Sequence, residues 1–193
     1  KLGTCISLYE DVFTVDSASK FLKSLEKQTV NNFSLILSVD AETPENFFND
    51  LIKTLDKSTV RYVIELNNQP KVYVQNRINE KPFIITSRCD SDDTLEPEFI
   101  EVIQKNFNQV EECLDTRGLQ HDGKDYYTYQ RDEPGSPFIS LIETNQGEIK
   151  TASFKQHAKM IRYFFSRFVG SKPLFVQHIH GGNIINSIKG EKI

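Results

Sequence analysis

Asp90, Asp92 and Asp93 crowd three carboxylates into four positions, and the segments on either side restrict how the chain can fold around them. Before them, Pro82-Phe83-Ile84-Ile85-Thr86 is a short apolar, β-branched run, the pattern of a buried strand. After them, Thr94-Leu95-Glu96-Pro97 leads into Phe99, Ile100, Ile103 and Phe107, whose spacing predicts a helix with Pro97 in its first turn. The stretch Ser87-Arg88-Cys89-Asp90-Ser91-Asp92-Asp93 is thus a turn between strand and helix. In open α/β sheets such turns lie at the carboxyl ends of strands, where ligands gather. Carboxylates this close repel one another unless a cation joins them. Hard oxygen donors suit Mg²⁺ or Mn²⁺, which also bind substrate phosphates. The plainer reading is a solvated acidic turn at a helix N-terminus, where negative charge is favourable in any case. A calcium loop does not fit, because Leu95 stands at the sixth position from Asp90, where an EF-hand needs glycine.

The flanking chain supplies further units of the same kind. Leu2 to Leu8 reads as a first strand ending in the polar loop Tyr9-Glu10-Asp11. Asp16 or Ser17 can cap a helix whose face is Ala18, Phe21, Leu22 and Leu25. Phe33, Leu35, Leu37 and Val39 have strand spacing, closed by Asp40. Thr43-Pro44 opens a helix with Phe47, Phe48, Leu51, Ile52 and Leu55 on one face. Val60 to Ile64 is a third strand, and Val72-Tyr73-Val74 a short extra one. Strand-then-helix units in series predict an α/β fold with a mixed, mostly parallel sheet flanked by helices.

The second half changes character. Asp122-Gly123 signals a hairpin between Leu119 and the run Tyr126-Tyr127-Thr128-Tyr129. Phe138 to Ile142 is a strand, after the loop Pro134-Gly135-Ser136-Pro137. Thr151 is placed as the cap of a long helix with Phe154, Ala158, Ile161, Phe165 and Phe168 as its buried stripe and Gly170 as its end. Phe175 to Asn183 reads as a strand running into a glycine turn and carries His178 and His180, two residues apart and so on one face. His157 reads as structural and His121 as a turn residue.

Composition bounds the function. With 193 residues the chain is most economically a single domain, 1–193. A hydrophobic share of 38% with 26% charged residues belongs to a soluble globular protein. A net charge of −4 argues against broad nucleic-acid binding. No apolar run approaches the roughly 20 residues of a membrane span, and no signal peptide is visible. Cys5, Cys89 and Cys113 are odd in number and widely spaced, the pattern of reduced thiols in a cytoplasmic protein, with no zinc-ligand spacing.

Two stretches carry a resemblance. Ser24-Leu25-Glu26-Lys27-Gln28-Thr29 followed by Asn32 to Asp40 resembles the opening of GT-A fold glycosyltransferases, a Rossmann-like nucleotide-binding architecture. Arg88 to Leu95 is similar to their metal-binding Asp-X-Asp segment. Pro137 to Glu143 and His180-Gly181-Gly182-Asn183 are similar to a subgroup of rhamnosyltransferases of bacteria and large DNA viruses. The resemblance implies a nucleotide- and metal-binding half, 1–110, and an acceptor-side half, 111–193, and is compatible with one module of a longer protein. It implies a donor that is a UDP-, dTDP- or GDP-linked sugar, a glycan or other hydroxyl acceptor, and Mn²⁺ or Mg²⁺ as cofactor. Thr4, Ser7 and Tyr9 would border the base and ribose, and Asp40 would hydrogen-bond the base. Asp90 would approach the ribose or metal, Asp92 would be the principal metal ligand, and Asp93 would orient metal-bound water or the sugar. His180 would be a late metal or diphosphate ligand.

The chemistry explains why such groups are wanted. A leaving nucleoside diphosphate gathers negative charge that a divalent cation stabilises. Arg88 can add a bidentate phosphate donor, or simply pair with its acidic neighbours. An inverting transferase also needs a base for the acceptor hydroxyl; Asp132, Glu133 and Glu143 are the candidates, with Glu143 favoured by the polar loop after it. Two rivals remain: a sugar nucleotidyltransferase, which the acidic first loop Tyr9-Glu10-Asp11 disfavours, and a non-catalytic glycan-binding module on the same fold.

Overall fold

The computed structural model describes residues 3–9, 15–39, 42–66, 74, 81–129, 132–153, 155–180, 187–188 and 190–193. The first half alternates as read: β1 (Gly3–Tyr9), α1 (Val15–Glu26), β2 (Ser34–Val39), α2 (Glu45–Leu55), β3 (Tyr62–Leu66) and β4 (Phe83–Asp90). β5 (Thr94–Leu95) and α3 (Phe99–Lys105) follow the acidic turn. The second half is strand-rich: β6 (Glu112–Thr116), β7 (Gly118–His121), β8 (Tyr126–Tyr129), β9 (Ser140–Thr144), the single turn α4 (His157–Met160), β10 (Ser166–Val169) and β11 (Phe175–His178).

Seven strands form the main sheet in the order β10-β6-β9-β4-β1-β2-β3. β4, β1, β2 and β3 are parallel neighbours, while β9 is antiparallel to both β4 and β6. Period-two alternation sends Leu35, Leu37, Val39 and Ile85 to one face, where they meet Phe21 and Leu25 of α1, Leu51 and Leu55 of α2, and Phe99 and Ile103 of α3. Ile36 and Ile84 go to the opposite face with Val74 and Ile149. Both faces are covered, which is why these strands are almost uniformly apolar. A second sheet, β5-β11-β7-β8, stands beyond the acidic turn.

Two expectations are corrected. The strand before the acidic turn does not stop at Thr86. It continues to Asp90 because β1 pairs with it throughout, from Gly3 opposite Ile84 to Tyr9 opposite Asp90. The long helix from Thr151 does not form. Thr151 has a positive φ of 66°, Ala158 is exposed, Phe165 is 71% exposed, and Ser166–Val169 is a strand. The reason lies in β6: its open edge is satisfied by parallel pairing with β10, Ser166 opposite Cys113 through Val169 opposite Thr116. The same pairing sets Arg167 against the buried Glu112, two 2.9 Å hydrogen bonds to its two carboxylate oxygens. Helical spacing of the phenylalanines is overridden by that pairing. Phe154 lies outside the described residues, as do Val72 and Tyr73 of the expected extra strand; Val74 is helical and buried. The Asp122-Gly123 hairpin forms as expected, with Gly123 at φ 91° and Gly118 opposite Tyr129.

Candidate active site

The turn after β4 distributes its three carboxylates into three different environments. The Asp93 N–H donates to the Asp90 carbonyl at 3.4 Å, closing a turn over Ser91 and Asp92. Asp90 and Arg88 are two apart on the strand and so share a face, and Arg88 Nη2 donates to Asp90 Oδ1 at 3.2 Å. Asp93 turns inward. It is 2% exposed, and its Oδ1 accepts the backbone N–H of His178 at 2.7 Å. Burial, and then the neighbouring Asp92, hold its carboxyl well above the usual carboxylate range, against the lowering effect of that N–H. Asp92 is half-buried, and its Oδ2 lies 2.8 Å from His180 Nε2. Cys89, on the opposite face of the strand, is fully buried, and burial pushes its thiol far up.

β11 carries the histidines to this place. It pairs with β5 directly after the turn, Val176 opposite Thr94, and with β7 on its other side, His178 opposite His121. His178 Nε2 shares a 3.2 Å hydrogen bond with Thr94 Oγ1, and its ring meets His121 edge-on with centroids 5.6 Å apart. His121 in turn lies 4.4 Å from the Tyr126 ring. Burial first, and then His121, lower the pKa of His178, favouring its neutral form. His121, read from sequence as a plain turn residue, therefore stands beside the site. No local signal could have shown this, because its partner is 57 residues away in a parallel pair.

In the β1–β4 register Ser7 lies opposite Arg88 and Tyr9 opposite Asp90, at the same sheet edge, while Thr4 pairs deeper, opposite Ile85. Asp40 lies outside the described residues. Glu143 is not brought to the acidic turn: it pairs with Ile84, six residues before Asp90 and so about 20 Å along the strand. Its two oxygens accept the N–H groups of Lys150 and Thr151 at 2.7 and 2.8 Å, and burial raises its pKa. Asp132 and Glu133 are exposed on the loop leading to β9.

Among the described residues, no group of three or more His, Cys, Asp and Glu side chains is arranged to hold a metal. Asp92 and His180, joined by a 2.8 Å hydrogen bond, are nonetheless a carboxylate and an imidazole, both donor types that a divalent cation such as Mn²⁺ accepts. Two protein donors suit a cation that takes its remaining ligands from water and phosphate. The donor set fits.

A mostly parallel sheet crossed by one antiparallel strand, with an acidic turn at its carboxyl edge and a second small sheet beside it, defines a GT-A-like glycosyltransferase fold. Residues 18–192 match the family described as "Putative rhamnosyl transferase", and the chain belongs to that family. Among solved structures it is similar to S. aureus TarS 1-349 in complex with UDP, at TM-score 0.55 and 14% identity over 93% of this chain and 60% of that one. A longer S. aureus TarS chain gives TM-score 0.53 and 15% identity over 93% of this chain and 37% of that one. The chain thus spans less than two thirds of each of these TarS chains, 60% of one and 37% of the other. None of the curated proteins matches it.

Proposed function

We propose that this chain transfers a sugar from a nucleoside-diphosphate donor to a hydroxyl acceptor, with Mn²⁺ or Mg²⁺ as cofactor. The family name favours rhamnose as the sugar, and UDP, the ligand of the similar TarS structure, is the first donor base to test. The observation that carries the reading is the meeting of Asp92 and His180, 88 residues apart in sequence, at the carboxyl edge of the sheet. Asp92 and His180 would hold the cation. When bound, it supplies a Lewis acid that stabilises charge on the departing diphosphate.

The chain's own groups do the positioning. Asp93 fixes His178 through its backbone, which holds the end of β11 against the turn and sets His180 beside Asp92. Arg88 sits with its guanidinium held by Asp90 at the same edge, a planar donor for phosphate oxygens. Ser7 and Tyr9, whose backbone pairs opposite Arg88 and Asp90, would border the base and ribose.

A thermal-shift panel of UDP, GDP and dTDP, each with and without Mn²⁺, tests the reading. A ligand at a hundredfold excess over its dissociation constant stabilises the fold by about 2.7 kcal/mol, which moves the midpoint by several degrees. The expected result is a shift with one diphosphate that needs Mn²⁺ and is lost in both Asp92→Asn and His180→Ala. A metal-independent shift, or none with any nucleotide, would overturn it.

A further inference from the structure

The charges of this chain are divided unevenly along it. The first 148 residues hold 26 Asp and Glu against 15 Lys and Arg. From Ile149 to Gly190 there are seven Lys and Arg and no Asp or Glu. In a chain of net charge −4, such a partition points to a surface for an anionic partner, provided the cations gather in one place. Three of the seven gather around α4.

The chain keeps winding past α4, because the Arg162 N–H donates to the Lys159 carbonyl at 3.1 Å and the Tyr163 N–H to the Met160 carbonyl at 2.9 Å. The inner side of these turns is fixed by Met160, fully buried with Cys113, Ile139, Leu141 and Ala152, and by Phe164 four residues on. Lys159 and Arg162, three apart, fall on the outer side, with Lys155 just before them, and all three are exposed. Tyr163 and Phe165, 57% and 71% exposed, stand beside them. Both ends of the segment are held. His157 Nδ1 shares a 2.6 Å hydrogen bond with the Gly135 carbonyl, and the Phe165 carbonyl accepts the Cys113 N–H at 2.8 Å. The carboxylates at that second end are already engaged: Glu112 by Arg167, and Glu111 by the N–H and hydroxyl of Thr144.

We propose that Lys155, Lys159, Arg162, Tyr163 and Phe165 form a docking surface for an anionic lipid bilayer. Aromatic rings settle at the headgroup level of a bilayer, and Lys and Arg beside them reach the lipid phosphates, so this one partner satisfies both kinds of side chain. A flat bilayer meets only this side of the molecule. A soluble polyanion long enough to wrap the chain would also meet its acidic remainder and be repelled. The turns cover the face of the main sheet away from α1, α2 and α3, since Leu141 lies opposite Thr86, which shares a face with Ile84. A bilayer there lies along the side of the sheet, and the acidic turn at the carboxyl edge is not pressed against its negative charge. The docking does not rest on the transferase reading.

The test is sedimentation of the protein with sucrose-loaded vesicles of phosphatidylcholine alone, or of phosphatidylcholine mixed with phosphatidylglycerol. Binding should need the anionic lipid. Each cation near such a surface changes the partition about fivefold, so Lys155→Gln/Lys159→Gln/Arg162→Gln should bind more than about thirtyfold more weakly. Lys53→Gln/Lys57→Gln/Arg61→Gln removes the same charge from exposed positions on and after α2, and should bind as the parent does. Phe165→Ser leaves the charge unchanged and should weaken binding several-fold. Every changed side chain is exposed, so circular dichroism and the thermal midpoint should match those of the parent. No binding to the anionic vesicles, equal binding to both kinds, equal loss in the two triple variants, or full binding by Phe165→Ser would overturn the proposal. Tighter binding of heparin than of vesicles at the same three cations would also overturn it, and would make the surface one for a soluble polyanion.

Discussion

Arg167→Met tests the least expected part of the fold, the strand that replaces a helix. Glu112 is 1% exposed, and both its oxygens are met by Arg167, through Nε and Nη2 at 2.9 Å each. Arg167 also donates from Nη2 to the Asn106 carbonyl at 2.9 Å. Methionine keeps the apolar stem of the side chain and removes every one of these donors. It leaves a carboxylate buried with its main partner gone, a change that costs about 3–5 kcal/mol. For a chain of this size that lowers the midpoint by roughly 6–20 °C. Urea unfolding followed by circular dichroism reads the loss directly. The double variant Glu112→Leu/Arg167→Met should recover most of it, because an apolar pair of similar volume replaces a buried ion pair at little cost. If residues 151–168 were instead the amphipathic helix that their spacing suggests, Arg167 would be a surface residue and its loss would cost less than about 0.5 kcal/mol. A loss below about 1 kcal/mol, or a double variant no better than the single one, would refute the pairing of β10 with β6.

Two further outcomes follow from local geometry. A Cβ added at Gly118 would lie 2.2 Å from the Phe175 ring, which is fully buried and stacked on Phe138 with centroids 4.1 Å apart. Gly118→Ala should therefore destabilise the chain by about 1–3 kcal/mol in urea unfolding, and a neutral result would show that the ring can move aside. The Asp122 carboxyl is lowered to about 2, chiefly by the N–H of Asp125 and then that of Lys124. Its folded pKa lies below its unfolded value near 3.9, so its contribution is complete above about pH 4 and is lost as pH falls towards 2. A side-chain carbon NMR titration should show that depressed midpoint in the folded protein, and a midpoint near the ordinary value would mean that the Asp122-Gly123 turn is not held as described.

What could be read from the sequence was whatever repeats locally. Leu35, Leu37 and Val39 alternate, and Ala18, Phe21, Leu22 and Leu25 fall on a helical face, so β2 and α1 were legible and are found. The end of β4 does not show in the sequence because Ser87, Arg88 and Asp90 are polar; the pairing that prolongs it comes from β1, about eighty residues earlier. β10 was hidden more deeply. Four residues are too few to show a period, and the phenylalanines around them happen to have helical spacing. The decisive fact, a buried Glu112 needing a cation beside it, belongs to another strand. The polar loop after Glu143 does meet its carboxylate, but through the loop's backbone and at the far end of the sheet from the acidic turn. His121 gives no signal because its importance is made wholly by His178, which lies across from it.

The acidic turn itself shows why three aspartates in sequence need not be three ligands in space. On a strand and a tight turn, successive side chains point in different directions. Asp90 faces Arg88 and is held by its charge. Asp93 is driven inward, where burial disfavours its ionised form, and a backbone N–H from β11 compensates in part. That contact carries a structural consequence: it joins the turn after β4 to a strand 85 residues away, so the second sheet cannot shift without breaking it. Asp92, between them, is left facing outward with His180. Replacing Asp93 should therefore harm the site by a different route from replacing Asp92. Asp93→Asn keeps an oxygen for the His178 N–H and should preserve both fold and nucleotide response. Asp93→Leu removes it, leaves that N–H without its partner, and should lose stability by about 1–3 kcal/mol before any ligand is added.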